Sequence, residues 1–299
     1  MRRALLLVLL AACGGGDDDG DDGVTYEYLP CDADEHVGTF FVTTLGVQGR
    51  VEDAVAPLAI PDEIAGAGEC RVLRSPALFC DPACEVGSTC SQEGTCVPLP
   101  VRLSAGEVAI SGLSAAVTMA ARAPDYSYTN PEPLPDPAFA PGADIQLHAQ
   151  GDDVAAFDLA GVGVAPIAGA PAELAVAEGE PLEVTWDLDG VGARMRVLLD
   201  FAQHGGPHIF IDCDFADTEG VATVPAELLQ ELLDSEVSGF PGAILTRHTV
   251  MSADLEPGCV DLEIATTASI PVEVPGVISC TDDEPCPDLQ TCQPNLTCG

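Results

Sequence analysis

His204-Gly205-Gly206-Pro207-His208 sets two imidazoles four residues apart, with Asp200, Asp212 and Asp214 close by in the chain. On a helix that spacing would turn both rings to one metal ion, but Gly-Gly-Pro forbids a helix there, so only a turn could bring them together. Transition-metal binding by His204 and His208 therefore competes with a plain polar loop between strands. Just beyond, Asp212-Cys213-Asp214-Phe215-Ala216-Asp217-Thr218-Glu219-Gly220 is the densest acidic patch outside the N-terminal region. It reads as a strand running into a loop, and loop carboxylates can hold calcium, which prefers oxygen ligands. Asp212, Asp214, Asp217 and Glu219 are the candidate ligands for Ca2+, and a solvated loop is the competing reading.

Other chemistry is sparse. The chain has no Gly-x-Ser-x-Gly elbow, no His-Glu-x-x-His, no phosphate loop and no dinucleotide fingerprint. It has no lysine, which removes Schiff-base chemistry and lysine-assisted serine hydrolysis. His36, His148, His204, His208 and His248 leave a Ser-His-Asp triad open, because triad geometry is not legible in one sequence. The run Asp17 to Asp22 is no EF-hand, since Asp22 stands where the loop needs glycine and Tyr28 where it needs glutamate. No catalytic residue is assigned. The expectation is a binding or structural protein, with metal-dependent adhesion and a secreted-type hydrolase as alternatives.

Strands must position these groups. Short alternating segments separated by Gly, Pro and Asp recur at Val108 to Ile110, Ile145 to Leu147, Leu182 to Trp186, Met195 to Leu199, Ile209 to Cys213 and Val260 to Ile264. Period-two alternation at that spacing predicts an all-β fold, an antiparallel β-sandwich of immunoglobulin-like or Greek-key type, over residues 99–278. Helical segments are too few for a sheet alternating with helices. One short helix is expected, with Pro225 in its first turn and Leu228, Leu229, Leu232 and Leu233 as its apolar stripe, capping one end of the sandwich. Trp186 is expected to fill the core. Residues 24–79 read as a separate β-rich segment around Thr39 to Leu45, closed by Gly46.

Cysteines punctuate the rest. Cys80-x3-Cys84-x5-Cys90-x5-Cys96 forms one compact module, residues 80–98, and Cys280-x5-Cys286-x5-Cys292-x5-Cys298 a second, residues 279–299. Both contain Thr-Cys-x4-Thr-Cys, so they read as copies of one unit. Zinc is disfavoured because neither module has ligand pairs at the usual spacing at both ends. Disulfides are expected, and four cysteines allow about three connectivities per module. The modules resemble small EGF-like or Dickkopf-like knots, which implies pairing of first with third and second with fourth. Elsewhere, Cys31 and Cys70 flank the N-terminal segment as one candidate pair. Cys213 and Cys259 remain as the other, bridging two strands.

Residues 1–12 have the form of a secretory leader: Arg2 and Arg3, an apolar run from Ala4, then small residues before Cys13. Nine apolar residues are too few for a helix to cross a bilayer core of about 30 Å. Leu10-Ala11-Ala12-Cys13 resembles the lipobox of bacterial lipoproteins, in which the cysteine is acylated, with palmitate among the chains, and becomes the first mature residue. That implies lipidation at Cys13, a bilayer as partner, and an oxidising compartment for the remaining twelve cysteines. Residues 13–23, rich in Gly and Asp, have the composition of a self-repelling tether. Gly14 is not the aspartate of inner-membrane retention, and the acidic run resembles surface-export signals. The expected location is the cell envelope, at the outer membrane and on its outer face.

The 10 Lys+Arg stand against 49 Asp+Glu, a formal charge of −39, and loss of Arg2 and Arg3 makes it −41. That field repels nucleic acid and anionic surfaces, so no nucleic-acid partner is expected. Its plain role is solubility, although it would also attract cations. At 47% hydrophobic residues the chain can bury a real core, while one Trp and four Tyr argue against a sugar-stacking platform.

Taken together, Gln48-Gly49-Arg50-Val51, Cys80-Asp81-Pro82-Ala83-Cys84, His204-Gly205-Gly206, Ile211-Asp212-Cys213-Asp214, Val224-Pro225-Ala226 and Gly239-Phe240-Pro241 resemble blocks of cysteine-rich lipoproteins of myxobacteria. The resemblance brings no activity and no catalytic residue. With the leader, the tether and the strand pattern, the expectation is an envelope lipoprotein that displays a β-sandwich, with another protein or a glycan as partner.

Overall fold

A computed structural model describes residues 27–57, 61–75, 79–91, 93–201, 208–235, 237–287 and 289–299. The leader, Cys13, the tether and His204 lie outside the described residues.

The fold is all-β. In chain order the strands are β1 (His36–Thr43), β2 (Gly46–Glu52), β3 (Asp62–Ala67), β4 (Cys70–Arg74), β5 (Ser88–Cys90), β6 (Cys96–Pro98), β7 (Arg102–Leu103), β8 (Glu107–Ser111), β9 (Val117–Ala120) and β10 (Tyr128–Thr129). They continue as β11 (Asp144–Ala149), β12 (Phe157–Val162), β13 (Leu174–Ala175), β14 (Leu182–Thr185), β15 (Arg194–Asp200), β16 (Ile209–Ala216), β17 (Val221–Val224), β18 (Gly242–Asp254) and β19 (Cys259–Glu273). One α-helix, α1 (Ala226–Asp234), is present among the described residues.

An eleven-stranded sheet runs β10-β2-β1-β19-β18-β15-β16-β4-β3, with β7 beside β2 and β13 beside β19. Its strands alternate as the sequence does. In β15 Met195, Val197 and Leu199 are buried while Arg194, Arg196, Leu198 and Asp200 face the other way, the period-two rule that gives a sheet one dry face and one wet face.

Two cores lie on the dry face. At one end a four-stranded sheet, β12-β11-β8-β9, packs Ile110, Leu147 and Leu159 against Phe40, Leu262 and Ile264. At the other, the β14–β17 ribbon and α1 pack Val184, Trp186, Leu228 and Leu232 against Val72, Val197 and Ile211. The expected stripe of α1 is buried at Leu228, Leu229 and Leu232, with Leu233 partly buried, and it lies over β4 and β16 instead of capping an end. Trp186 is buried and donates its indole N–H to the Asp217 carbonyl at 3.0 Å.

Three expectations are corrected. Residues 24–79 do not form a separate piece: β1 pairs with β19 and β4 with β16, so this segment builds both flanks of the main sheet. Its apolar residues Val37, Phe40, Val42 and Val72 need a partner surface that only the later strands supply. The sheet is not wholly antiparallel, because β1 and β13 both run parallel to β19. The long-range disulfides join Cys31 to Cys259 and Cys70 to Cys213, not Cys31 to Cys70 and Cys213 to Cys259. Strand pairing decides this, since Cys70 and Cys213 stand opposite each other across β4 and β16.

The two modules share one pattern. Cys80 pairs with Cys90 and Cys84 with Cys96, while Cys280 pairs with Cys292 and Cys286 with Cys298. Cys90 faces Cys96 across β5 and β6, and Cys292 faces Cys298 in an isolated bridge. Neither module owns a core, so its bridges must hold it, at about 2–4 kcal/mol each.

Candidate functional site

The wet face of the main sheet carries the charged groups. Arg194 and Arg196 on β15, Asp212 and Asp214 on β16, Arg71 on β4, His248 on β18 and Glu263 on β19 all point to this side, because each sits out of phase with its buried neighbours. Cross-strand register sets them together: Arg196 stands opposite Asp214, Arg71 opposite Asp212, and Arg194 opposite His248.

Residues 27–31 lie against this face. The Leu29 N–H donates to the Val250 carbonyl at 3.0 Å, beyond the last β15–β18 pair, Arg194 with His248. The Tyr28 hydroxyl donates to Asp214 Oδ2 at 3.1 Å. The Arg194 guanidinium sits 5.1 Å from the centre of the Tyr28 ring, and the His248 ring meets it edge-on at 5.5 Å. A cleft of about 360 Å³ opens here, walled by Tyr28, Glu69, Arg71, Arg194, Arg196 and His248 among others.

His248 is the centre of the cluster. Its side chain is 4% exposed, with Nε2 3.5 Å from Asp214 Oδ1 and Nδ1 3.5 Å from Glu263 Oε1. At that range these are ion pairs, and neither ring nitrogen makes a hydrogen bond. Burial works against a charged imidazole, but the two carboxylates outweigh it and hold the pKa of His248 above its ordinary value. Burial likewise works against the Asp214 carboxylate, and His248 and Arg194 outweigh it, holding its pKa below the usual carboxylate range. Burial, with Asp214 alongside, pushes the Tyr28 hydroxyl up. Arg196 is held as a cation by its hydrogen bond from Nε to Asp212 Oδ1 at 2.7 Å, with Nη2 on Oδ2.

A second cleft of about 420 Å³ lies further along the same face, between His36, Phe41, Gln48, Arg50 and Arg102. Gly49 lines this cleft with its backbone, and a Cβ on it would turn to the dry side and stand 2.2 Å from the buried Phe40 ring. Glu52 lies 3.5 Å from Arg50 and 4.0 Å from Arg102.

The carboxylates read as calcium ligands do not converge. Asp212 is engaged by Arg196, and Asp214 by Tyr28, Arg194 and His248. Asp217 turns to the core and pairs with Arg247, and Glu219 is exposed in a short 3-10 turn at Asp217–Glu219. Strand alternation explains the split, since β16 ends at Ala216 and the turn reverses direction. His208 is separate from all of them, with Nε2 3.0 Å from Asp200 Oδ2 and Nδ1 3.3 Å from the Ser75 hydroxyl. Ser75, His208 and Asp200 thus stand in the order of a nucleophile relay, but His208 is 44% exposed and none of the three lines either cleft. Among the described residues, the groups of three metal-ligand atoms within one coordination sphere are built on disulfide sulfurs.

Sequence reasoning names His248 only as one of five histidines open to a triad, and does not single out Glu263, Tyr28 or Arg194 as site residues. The readable signal was a histidine in phase with polar residues inside Thr246-Arg247-His248-Thr249, on a strand whose full length was not recognised. The arrangement can hold charge and shape a recognition surface. Both ring nitrogens of His248 face carboxylates. The site defines a disulfide-stapled β-sandwich with a charged cleft on its open sheet face. No protein-family model and no curated protein sequence matches the chain.

Proposed function

We propose that this chain is a cell-envelope lipoprotein, tethered through acylated Cys13 at the outer membrane, that displays a non-enzymatic β-sandwich for contact with a protein or a glycan. The disulfide-rich all-β fold fits a structural or binding module. The observation that carries the anchored reading is cysteine use: six disulfides take twelve of the 13 cysteines and leave Cys13 outside them. That cysteine follows a leader-like run and precedes a Gly/Asp tether.

Metabolic labelling with a tagged fatty acid, followed by detergent phase partition, tests the reading. The full-length protein is expected to take up label and enter the detergent phase, and Cys13→Ser to do neither. An unlabelled, aqueous wild-type protein overturns it.

A further inference from the structure

We propose that the cleft over β1, β2 and β10 is a carbohydrate site that takes a neutral sugar residue, with the Phe41 ring under the sugar and Gln48, Arg50 and Thr129 on its hydroxyls. This assignment rests on the proposed function, of whose two partner classes it takes the glycan.

Strand register builds the floor. Phe41 stands opposite Gln48 across β1 and β2, and Gln48 opposite Thr129 across β2 and β10, so the three form one cross-strand row. Thr39 and Arg50 form the next row on the same face. The cleft holds about 420 Å³, within the range of small-molecule sites. Phe41 is 43% exposed here. Where Trp and Tyr are scarce, a phenylalanine supplies the flat apolar face on which the C–H side of a sugar ring packs. Around it stand groups with hydrogen bonds to give: among the described residues the side chains of Gln48, Arg50 and Thr129 make none, and Arg50 is 56% exposed.

The neutral ligand follows from the charges. Arg50, Arg102 and His36 line the cleft and no carboxylate does, in a chain with 49 Asp+Glu. Nothing in the lining therefore calls for a cation. The arginines are already matched, since Glu52 lies 3.5 Å from Arg50 and 4.0 Å from Arg102, and Asp125 lies 3.8 Å from Arg102. His36 stands 3.5 Å from Asp261, and Glu263, opposite Phe41 on β19, stands 3.5 Å from His248. An acidic ligand thus finds no unmatched cation there, and the field of the whole chain repels it. A hydroxylated, uncharged ligand meets neither obstacle.

The same strands disfavour a peptide. β2 is paired with β1 on one side and with β10 and β7 on the other. Its backbone therefore offers no open edge on which an extended peptide could add, and recognition falls to side chains.

The test is an NMR titration of the full mature protein with neutral gluco-, galacto-, manno- and N-acetylglucosamine oligosaccharides, with uronate oligomers and a glutamate-rich peptide as charged controls. The Phe41 ring and the Gln48 side-chain amide are expected to shift together with a neutral sugar, at an affinity that holds from about 0.05 to 0.5 M salt. Phe41→Ala should weaken that binding about tenfold, and Phe41→Trp, which keeps a stacking ring, should retain it. Gln48→Ala, at an exposed position, should weaken it without moving the midpoint of thermal unfolding, which separates loss of the site from loss of the fold. No shift at either resonance with any neutral sugar overturns the site. So does binding that survives Phe41→Ala, and so does a uronate or the peptide binding there as tightly as the neutral sugars. Acylation of Cys13 is read separately by the fatty-acid label, so failure here removes the sugar site and leaves the anchor standing.

Discussion

Arg247 and Asp217 form an ion pair inside the core, with Nε 2.9 Å from Oδ1 and each side chain 1% exposed. Arg247 Nη1 also donates to the Ala165 and Pro166 carbonyls at 3.3 and 3.2 Å, and Nη2 to the Asp187 carbonyl. Asp217 Oδ2 accepts the Asp189 N–H at 2.8 Å. One pair thus ties β18, the turn after β16 and two loops.

Removing one member leaves a charge buried without its partner, which costs about 3–5 kcal/mol. Arg247→Met and Asp217→Leu should each lower the unfolding free energy by about that much in a denaturant titration. The double variant should recover part of the loss, because no charge is then stranded. Equal additivity of the two single losses would show that the pair is not coupled.

Acid should act through Asp214. Its pKa is depressed on folding, so its contribution is present above the unfolded carboxylate value and is lost as pH falls through the folded one. Asp214→Asn should be less stable than wild type at about pH 7, and the gap should close as pH approaches about 2. Urea midpoints across that range read the difference directly. A gap that persists unchanged into acid would assign the effect to packing, not to charge.

How much of this was legible in the sequence follows from range. Period-two alternation is local, so the strands around Ile110, Leu147, Val184, Val197, Ile211 and Leu262 were readable, as was the stripe of α1. The partners of those strands were not. Nothing near Phe40 says that it will lie beside Leu262 in a parallel pair, and nothing near Cys70 says that Cys213 will stand opposite. The local Asp212-x-Asp214-x-x-Asp217 spacing suggested one ion site, yet alternation and a turn send Asp217 to the core and leave the other two on the wet face. The cluster around His248 draws on five chain segments, and no local pattern encodes such a set.

Calcium should change little. The carboxylates of Asp212, Asp214 and Asp217 are each committed to an arginine, so a cation would have to break those pairs first. At a few millimolar Ca2+ against chelator, the midpoint of thermal unfolding should move by less than about 1 °C, since only a ligand of the folded state raises it. A rise of several degrees that Asp212→Asn abolishes would restore the acidic loop as a cation site.

The long-range disulfides carry the sharpest consequence for stability. Cys70–Cys213 spans 143 residues and Cys31–Cys259 spans 228, so both close loops far longer than the 10 to 12 residues closed within the modules. Cross-linking over such lengths restricts the unfolded chain most, and each long bridge should contribute about 2–5 kcal/mol. Cys70→Ala with Cys213→Ala removes the staple between β4 and β16, so the β3–β4 hairpin should exchange its amides faster while β18 and β19 keep theirs. Cys31→Ala with Cys259→Ala should instead loosen residues 27–31 and the start of β19. Peptide mapping without reduction checks the pairing itself: a fragment joining Cys70 to Cys213 is expected. One joining Cys31 to Cys70 would require β4 to leave β16, and with it the outer edge of the sheet.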